Sequence, residues 1–454
     1  MAAAASSTEF EYLTGFNNHF ATEALPGALP KGKNSPQNCP YGLYAEQLSG
    51  TAFTRPRATN RRTWLYRIRP SVCHSGPFLP YPHPTAALSE SVPTPPSQLR
   101  WKPLPIPIVG EGVSEGEGID FVRGLNKMAS AGEPSMKAGV AFYIYTANEP
   151  MTRTALKNAD GDFLIVPQSG ELIVKTEMGS MHVPPGFICV VQRGIAFSVN
   201  FAEGTTAVRG YVCEVYDGHF EIPDLGPIGA NGLANPRDFE SPVAAYDADA
   251  EDPADNAFVV VHKFLGALYE TQASHSPFNV VAWHGNYAPW RYNLDNFNVI
   301  NSVSFDHPDP CIFTVVTVQT AEPGRAALDF VVFKERWSVA TDTFRPPYFH
   351  TNCMTEFMGL ITGRYDAKEE GFLPGGASLH SAGSAHGPDV DAFTKATTSD
   401  LTPDFISEGA IAFMFESCYL THLSKFALDE NLLDTSYTES AWGPFESNFD
   451  PTKP

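Results

Sequence analysis

The sequence predicts a mainly β protein with few helices, and three observations lead there. Short apolar runs rich in Val, Ile and Phe recur along the chain: GDFLIVP, GELIVKTE, GFICVVQRG, FVVVHKF, CIFTVVTVQ and ALDFVVFKERW. Each is about five to eight residues long and bounded by Gly or Pro, the signature of strands rather than of amphipathic helices. The 39 Pro and 36 Gly are spread widely between these runs and act as punctuation. Finally, 43% hydrophobic residues, with 32 Phe and 17 Tyr against only 18% charged, describe a folded, aromatic-rich core and exclude a disordered chain.

Taken in order, the runs cluster in two places. Between Asp160 and Asn200, DFLIVP, ELIVKTE, SMHVPP and FICVVQ follow closely, as in a hairpin-built barrel or sandwich. A second series runs from Val299 to Tyr365, so two β-barrel-like halves are expected, without a repeat strong enough to establish duplication. A length of 454 residues suits two to four packed units or fewer large β ones. Tyr81 to Pro107 is dense in proline and is expected to lie extended on a surface. Ala244 to Asn256 concentrates acidic residues but lacks the glycine and terminal glutamate of an EF-hand, and reads as a solvated loop. DFISEGAIAFMFESCYLTHLSKFALDE is expected to combine a strand with a helix.

The formal charge of −21 excludes a general nucleic-acid binder or a binder of anionic membranes, which need clustered Lys and Arg. An anionic small substrate remains compatible with local basic residues. The N-terminus, MAAAASSTEFEYLTGF, has no basic region followed by an apolar core, and no run reaches the roughly 18 apolar residues of a membrane span. Seven scattered cysteines without a CxxC fit reduced thiols. The expectation is a soluble cytoplasmic protein.

Chemistry is concentrated in RPPYFHTNCMTEF, Arg345 to Phe357. On one straight strand His350 and Glu356 would sit roughly 20 Å apart, and on a helix an offset of six puts them on different sides. They can share an ion only if the chain turns between them, and Thr351, Asn352 and Cys353 suit a turn. A further ligand must come from elsewhere, and the glycine-rich loop GFLPGGASLHSAGSAHGPD offers His380 and His386. Two imidazoles and a carboxylate with open positions make the facial triad of non-haem Fe(II) oxygenases, although zinc or manganese accepts similar ligands. By spacing alone, satisfied core or loop residues explain the same pattern. His307, in SVSFDHPDP, could serve as a general base or simply cap a turn.

Two further patterns carry less. Gly226, Gly229 and Gly232 in DLGPIGANGLANPRDF form neither GxGxxG nor a phosphate loop, and read as a structural loop. Arg55, Arg57, Arg61, Arg62, Arg67 and Arg69, interrupted by Trp64 and Tyr66, read as a surface face.

Long stretches of the chain nevertheless resemble one family. RPPYFHTNCMTEFMGLITGRYDAK, GFLPGGASLHSAGSAHGPD, SPFNVVAWHGNYAP, INSVSFDHPDP, DLGPIGANGLANPRDF and NCPYGLYAEQLSGTAFTRPR, whose order along the chain is also kept, closely resemble the homogentisate 1,2-dioxygenase family of tyrosine and phenylalanine catabolism. The resemblance runs from about Tyr12 to Glu416. It implies a cupin-type (germin-like) β-barrel or jelly-roll fold in two domains, residues 1–295 with a degenerate, metal-free barrel and residues 296–454 with an iron-binding one. It also implies Fe(II) held by His350, Glu356 and His386, an acid/base or substrate-orienting His307, and Tyr365, His380 and His386 near the substrate. The implied assembly is a homohexamer, a dimer of trimers.

The N-terminal half agrees with this division of labour. GDFLIVPQSGELIVKTEMGSMHVPPGFICVVQRG resembles a cupin core with its PPG turn, yet its only histidine is His182, so that half reads as structural. The Pro-rich segment, the acidic stretch near Asp247 and the C-terminal tail depart from the family and are expected to leave the site untouched. The implied reaction is cleavage of the ring of homogentisate by O2 to maleylacetoacetate. Rival readings are a cupin dioxygenase for a related acid such as gentisate, a metal-free cupin for binding or storage, and, less favoured by the matching stretches, a zinc-dependent isomerase.

Overall fold

The computed structural model describes residues 10–83, 91–107, 118–224, 234–249, 257–297, 313–368 and 371–453. Over these residues the mainly β reading holds: four sheets of nine, seven, four and six strands, with two α-helices, Val390–Thr398 and Tyr437–Trp442. The expected runs became the strands Asp162–Ser169, Leu172–Thr176, Gly179–Val183 and Phe187–Val191, and later Thr314–Gln319, Ala326–Ser338 and Thr355–Thr362. This architecture is consistent with a cupin-type β fold.

The six-stranded sheet positions the site. Its order is Thr314–Gln319, Ala326–Ser338, Asp404–Ser417, Thr355–Thr362, Ala377–His380 and Leu99–Trp101, antiparallel throughout. Alternation along each strand sorts its side chains onto two faces. Phe357, Phe413 and Phe415 point to a core shared with the nine-stranded sheet, where Phe142 stacks on Phe357 and Phe415 with centroids 5.3 and 5.6 Å away. Met358, Leu360, Ala412 and Met414 face the other way, into a second cluster with Tyr365 and Phe372. Glu356 belongs to that second parity, which is why it faces the cavity rather than the core.

Several expectations need correction. Leu99–Trp101, from the proline-dense segment, is a fully buried strand at the edge of the six-stranded sheet, because Trp101 fills the inter-sheet core and its indole Nε1 donates to the Ala427 carbonyl. Arg67, read as surface, is 2% exposed and pairs with Glu177 at 2.6 Å. Asp404–Ser417 is one long strand followed by the short strand His422–Leu423 and a 3-10 turn at Phe426–Leu428; the α-helix comes later, at Tyr437. Of the acidic stretch, Asp247 binds Lys175 and Asp249 binds Arg69, so its described part is tied to the body by ion pairs. The glycines of the Gly226–Gly232 pattern lie outside the described residues.

Candidate metal centre

Glu356 sits near the start of the Thr355–Thr362 strand and His380 directly opposite it at the end of Ala377–His380. His380 is therefore held on a strand, although its glycine-rich surroundings read as loop. The required turn lies just ahead of the first strand: the chain bends at Cys353 and Met354, and Asn352 Oδ1 accepts the Met354 N–H at 2.9 Å. The Asn352 amide also donates to Glu356 Oε1 at 2.7 Å, so one side chain shapes the bend and fixes the carboxylate.

His350 and His386 are joined by an isolated antiparallel bridge. Each donates its backbone N–H to the other's carbonyl, at 2.9 and 3.0 Å. The loop carrying His386 turns through Gly383, whose φ of +83° favours glycine, and the Gly383 N–H donates to the Asn352 carbonyl. Gly387 has no side chain because a Cβ there would approach Phe349 Cδ1 to 2.5 Å.

These constraints bring one donor atom each from His350, Glu356 and His386 within 4.8 Å of one another. His386 Nε2 is 2.9 Å from Glu356 Oε2 and His350 Nε2 is 3.6 Å from Oε1. The remaining ring nitrogens complete the fit: Nδ1 of His350 donates to the Tyr348 carbonyl at 2.8 Å and Nδ1 of His386 to the Ser384 carbonyl at 2.9 Å. With Nδ1 turned to a carbonyl, Nε2 is the atom each ring aims at Glu356: protonated it donates to the carboxylate, and deprotonated it offers its lone pair to an ion placed between them, the orientation that metal-ligating histidines adopt. Two imidazole nitrogens and one carboxylate oxygen, with room beside them, suit a first-row divalent ion. Burial alone would raise the Glu356 carboxyl, but the imidazoles of His350, His380 and His386 around it hold it far below the usual carboxylate range, so it stays ionised. The nearby Glu356 carboxylate raises His350, and burial lowers His380 to about 4.

A cavity of about 480 Å³ opens beside the triad, lined among others by Phe333, Arg336, Tyr365, Lys368, His380 and Met414. Its volume and largely apolar wall suit one small aromatic molecule. Tyr365 is buried in that wall against Phe333 and Phe372, and burial keeps its hydroxyl protonated. His380 stacks on His386 with centroids 4.3 Å apart, and its Nε2 meets the Tyr437 hydroxyl at 3.1 Å. His182 is elsewhere, paired with Glu171, and His307 lies outside the described residues.

Sequence reasoning passed over the support of this site. The C-terminal tail does reach it: Tyr437 contacts His380, Trp442 covers Lys368, and Phe445 packs on Phe349 beside His350. Arg100, from the Pro-rich segment, lies 4.4 Å from the Tyr437 ring and pairs with Asp434. The clue was the density of aromatics in SYTESAWGPF, unusual for a solvated tail.

Comparison with known proteins adds an independent line. Residues 11–294 match the family profile described as homogentisate 1,2-dioxygenase N-terminal, and residues 295–449 that described as homogentisate 1,2-dioxygenase C-terminal. The chain is 55% identical to homogentisate 1,2-dioxygenase of Dictyostelium discoideum over 440 residues, covering 97% of this chain and 98% of that protein. It is 53% identical to the Mus musculus enzyme and 52% identical to the Homo sapiens enzyme, each over 98% of both chains.

Proposed function

Since the chain belongs to the homogentisate 1,2-dioxygenase family, we propose that it cleaves the ring of homogentisate (2,5-dihydroxyphenylacetate) with O2 to give maleylacetoacetate, using Fe(II) held by His350, Glu356 and His386. The observation that carries the metal part of this reading is the convergence of three donors whose histidines are both locked, by Nδ1 bonds to carbonyls, with Nε2 facing Glu356.

Bound there, ferrous iron would supply the redox coupling between an electron-rich aromatic ring and O2, both of whose atoms enter the product. The chain supplies position and polarity. The cavity wall of Phe333, Tyr365 and Met414 holds the ring against the triad and excludes water from it. Tyr365, protonated and lining the cavity, donates a hydrogen bond to a substrate oxygen. His380, kept neutral by burial, holds His386 in place by stacking and faces the substrate side of the cavity. His307 takes or holds the proton of a ring hydroxyl, a role resting on the sequence resemblance alone.

The test is oxygen uptake after anaerobic ferrous reconstitution, with homogentisate and gentisate as rival substrates. Rapid uptake with homogentisate and little with gentisate is expected; preference for gentisate, or uptake independent of iron, overturns the reading. A His307→Ala protein with full turnover and normal iron content would remove that residue's role.

The same resemblance supports a cytoplasmic homohexamer built as a dimer of trimers, with a structural half, residues 1–295, and an iron-binding half, residues 296–454. No helix among the described residues is long and apolar enough to cross a membrane.

A further inference from the structure

Three cations line the cavity, Arg336, Arg345 and Lys368, against two carboxylates, Glu356 and Glu416. Two of the three are already engaged. Arg336 pairs with Asp366 at 3.1 Å, and the Arg345 guanidinium holds the Ala340 and Thr402 carbonyls. Lys368 differs. It is 8% exposed, and its ammonium donates to the Gly387 carbonyl at 2.9 Å, immediately after the ligand His386. Trp442 and Tyr437 present their ring faces to it at 4.5 and 5.4 Å. Asp389 is the described carboxylate whose charge reaches it, but the two form no ion pair.

A buried ammonium with only one of its three N–H groups matched to an acceptor is a costly arrangement for structure alone. It becomes favourable when a ligand brings the missing anion. The substrate assigned above carries an acetate arm on the ring carbon next to a hydroxyl-bearing one, so a ring oxygen directed at the triad leaves the carboxylate a short distance to one side. Lys368 lines the same cavity as the triad and is joined to the loop of His386 through the Gly387 carbonyl.

We propose that Lys368 is the anchor for the substrate's carboxylate, selecting arylacetate-type acids over neutral hydroquinones. The proposal rests on the functional reading above. Burial holds the Lys368 ammonium down to about 8, and pairing with a substrate carboxylate would raise it again.

The experiment compares homogentisate with its neutral amide, 2,5-dihydroxyphenylacetamide, on the ferrous-reconstituted full chain, wild type and Lys368→Met, with Lys368→Arg as the conservative variant. KM comes from oxygen uptake and Kd from anaerobic titration. In the wild type the acid is expected to bind tighter than the amide by about 10- to 100-fold, the range of a charge-assisted hydrogen bond. In Lys368→Met that ratio should fall close to one through loss of acid affinity, with Lys368→Arg recovering part of it. An acid-to-amide ratio unchanged in Lys368→Met overturns the proposal, as does equal weakening of both ligands. Should Lys368→Met not fold, a Lys368→Arg ratio equal to that of the wild type with no acid preference in either would overturn it too. Failure of the wild type to consume oxygen with homogentisate would instead strike the functional reading, while the anaerobic Kd ratio still decides the role of Lys368.

Discussion

Asn352 shows how much of the site depends on a side chain that would bind no metal. Its amide group closes the bend ahead of Glu356 and holds Oε1 at 2.7 Å, while its backbone carbonyl receives the loop that carries His386. Replacing it by Ala frees one carboxylate oxygen and loosens the bend at once. Partners of this kind typically contribute 10- to 100-fold in metal affinity. Asn352→Ala should therefore weaken ferrous binding by about that factor in an anaerobic titration, with the thermal transition of the metal-free protein shifted little. An unchanged ferrous affinity would show that Glu356 needs no such support.

The Thr355–Thr362 strand ties catalysis to stability because neighbouring residues on it serve opposite faces. Glu356 looks into the cavity; Phe357, the next residue, fills the inter-sheet core between Trp101, Phe142 and Phe415. Phe357→Ala should cost about 3–5 kcal/mol in urea unfolding, the usual price of emptying so large a buried site. It should also lower ferrous affinity, since the strand that aims Glu356 loses its backing. This strand was legible in the sequence, as was the need for a turn before it, because an extended chain cannot bring residues six apart to one ion. Its neighbours were not. His380 follows two glycines and a serine, which read as loop, yet pairing with Glu356 draws it onto a strand. Leu99–Trp101 is surrounded by prolines, and only its distant partner, Ala377–Leu379, makes it a strand. The Tyr437–Trp442 helix has six residues, too few for a periodic signal, and owes its place to aromatic packing over Lys368 and His380.

At the scale of the whole molecule, the N-terminal half carries its own buried ionic centre. Asp162, wholly buried, receives Arg193 Nε at 2.8 Å and His219 Nδ1 at 2.6 Å. The other His219 nitrogen faces the Gly50 carbonyl at 2.7 Å, so both ring nitrogens donate. Burial pushes the Asp162 carboxyl up, but His219 and Arg193 outweigh it and hold the group well below the usual carboxylate range. Its pKa is thus depressed in the folded state, and the stability it contributes is present above the ordinary carboxylate pKa of about 4 and lost as pH falls below it. Asp162→Asn should lower stability at pH 7 by about 3 kcal/mol or more, the cost of leaving a buried charge without its partner. The gap from the wild type should narrow as the solution is acidified below about pH 4. A gap that stays constant with pH, followed by urea unfolding, would contradict the assignment.

Both halves meet across the aromatic core of Phe142, Phe357 and Phe415, and the claim that unites them is that this scaffold exists to hold one ferrous ion at His350, Glu356 and His386 for cleavage of homogentisate. The most direct measurement is the oxygen-electrode trace of anaerobically reconstituted protein given homogentisate, run beside Glu356→Ala at matched concentration and with bound iron counted. The account predicts about one ferrous ion per chain and rapid oxygen uptake in the wild type, with iron and uptake both lost in Glu356→Ala although the variant remains folded. Undiminished iron and uptake in Glu356→Ala, or none in the wild type, would contradict it.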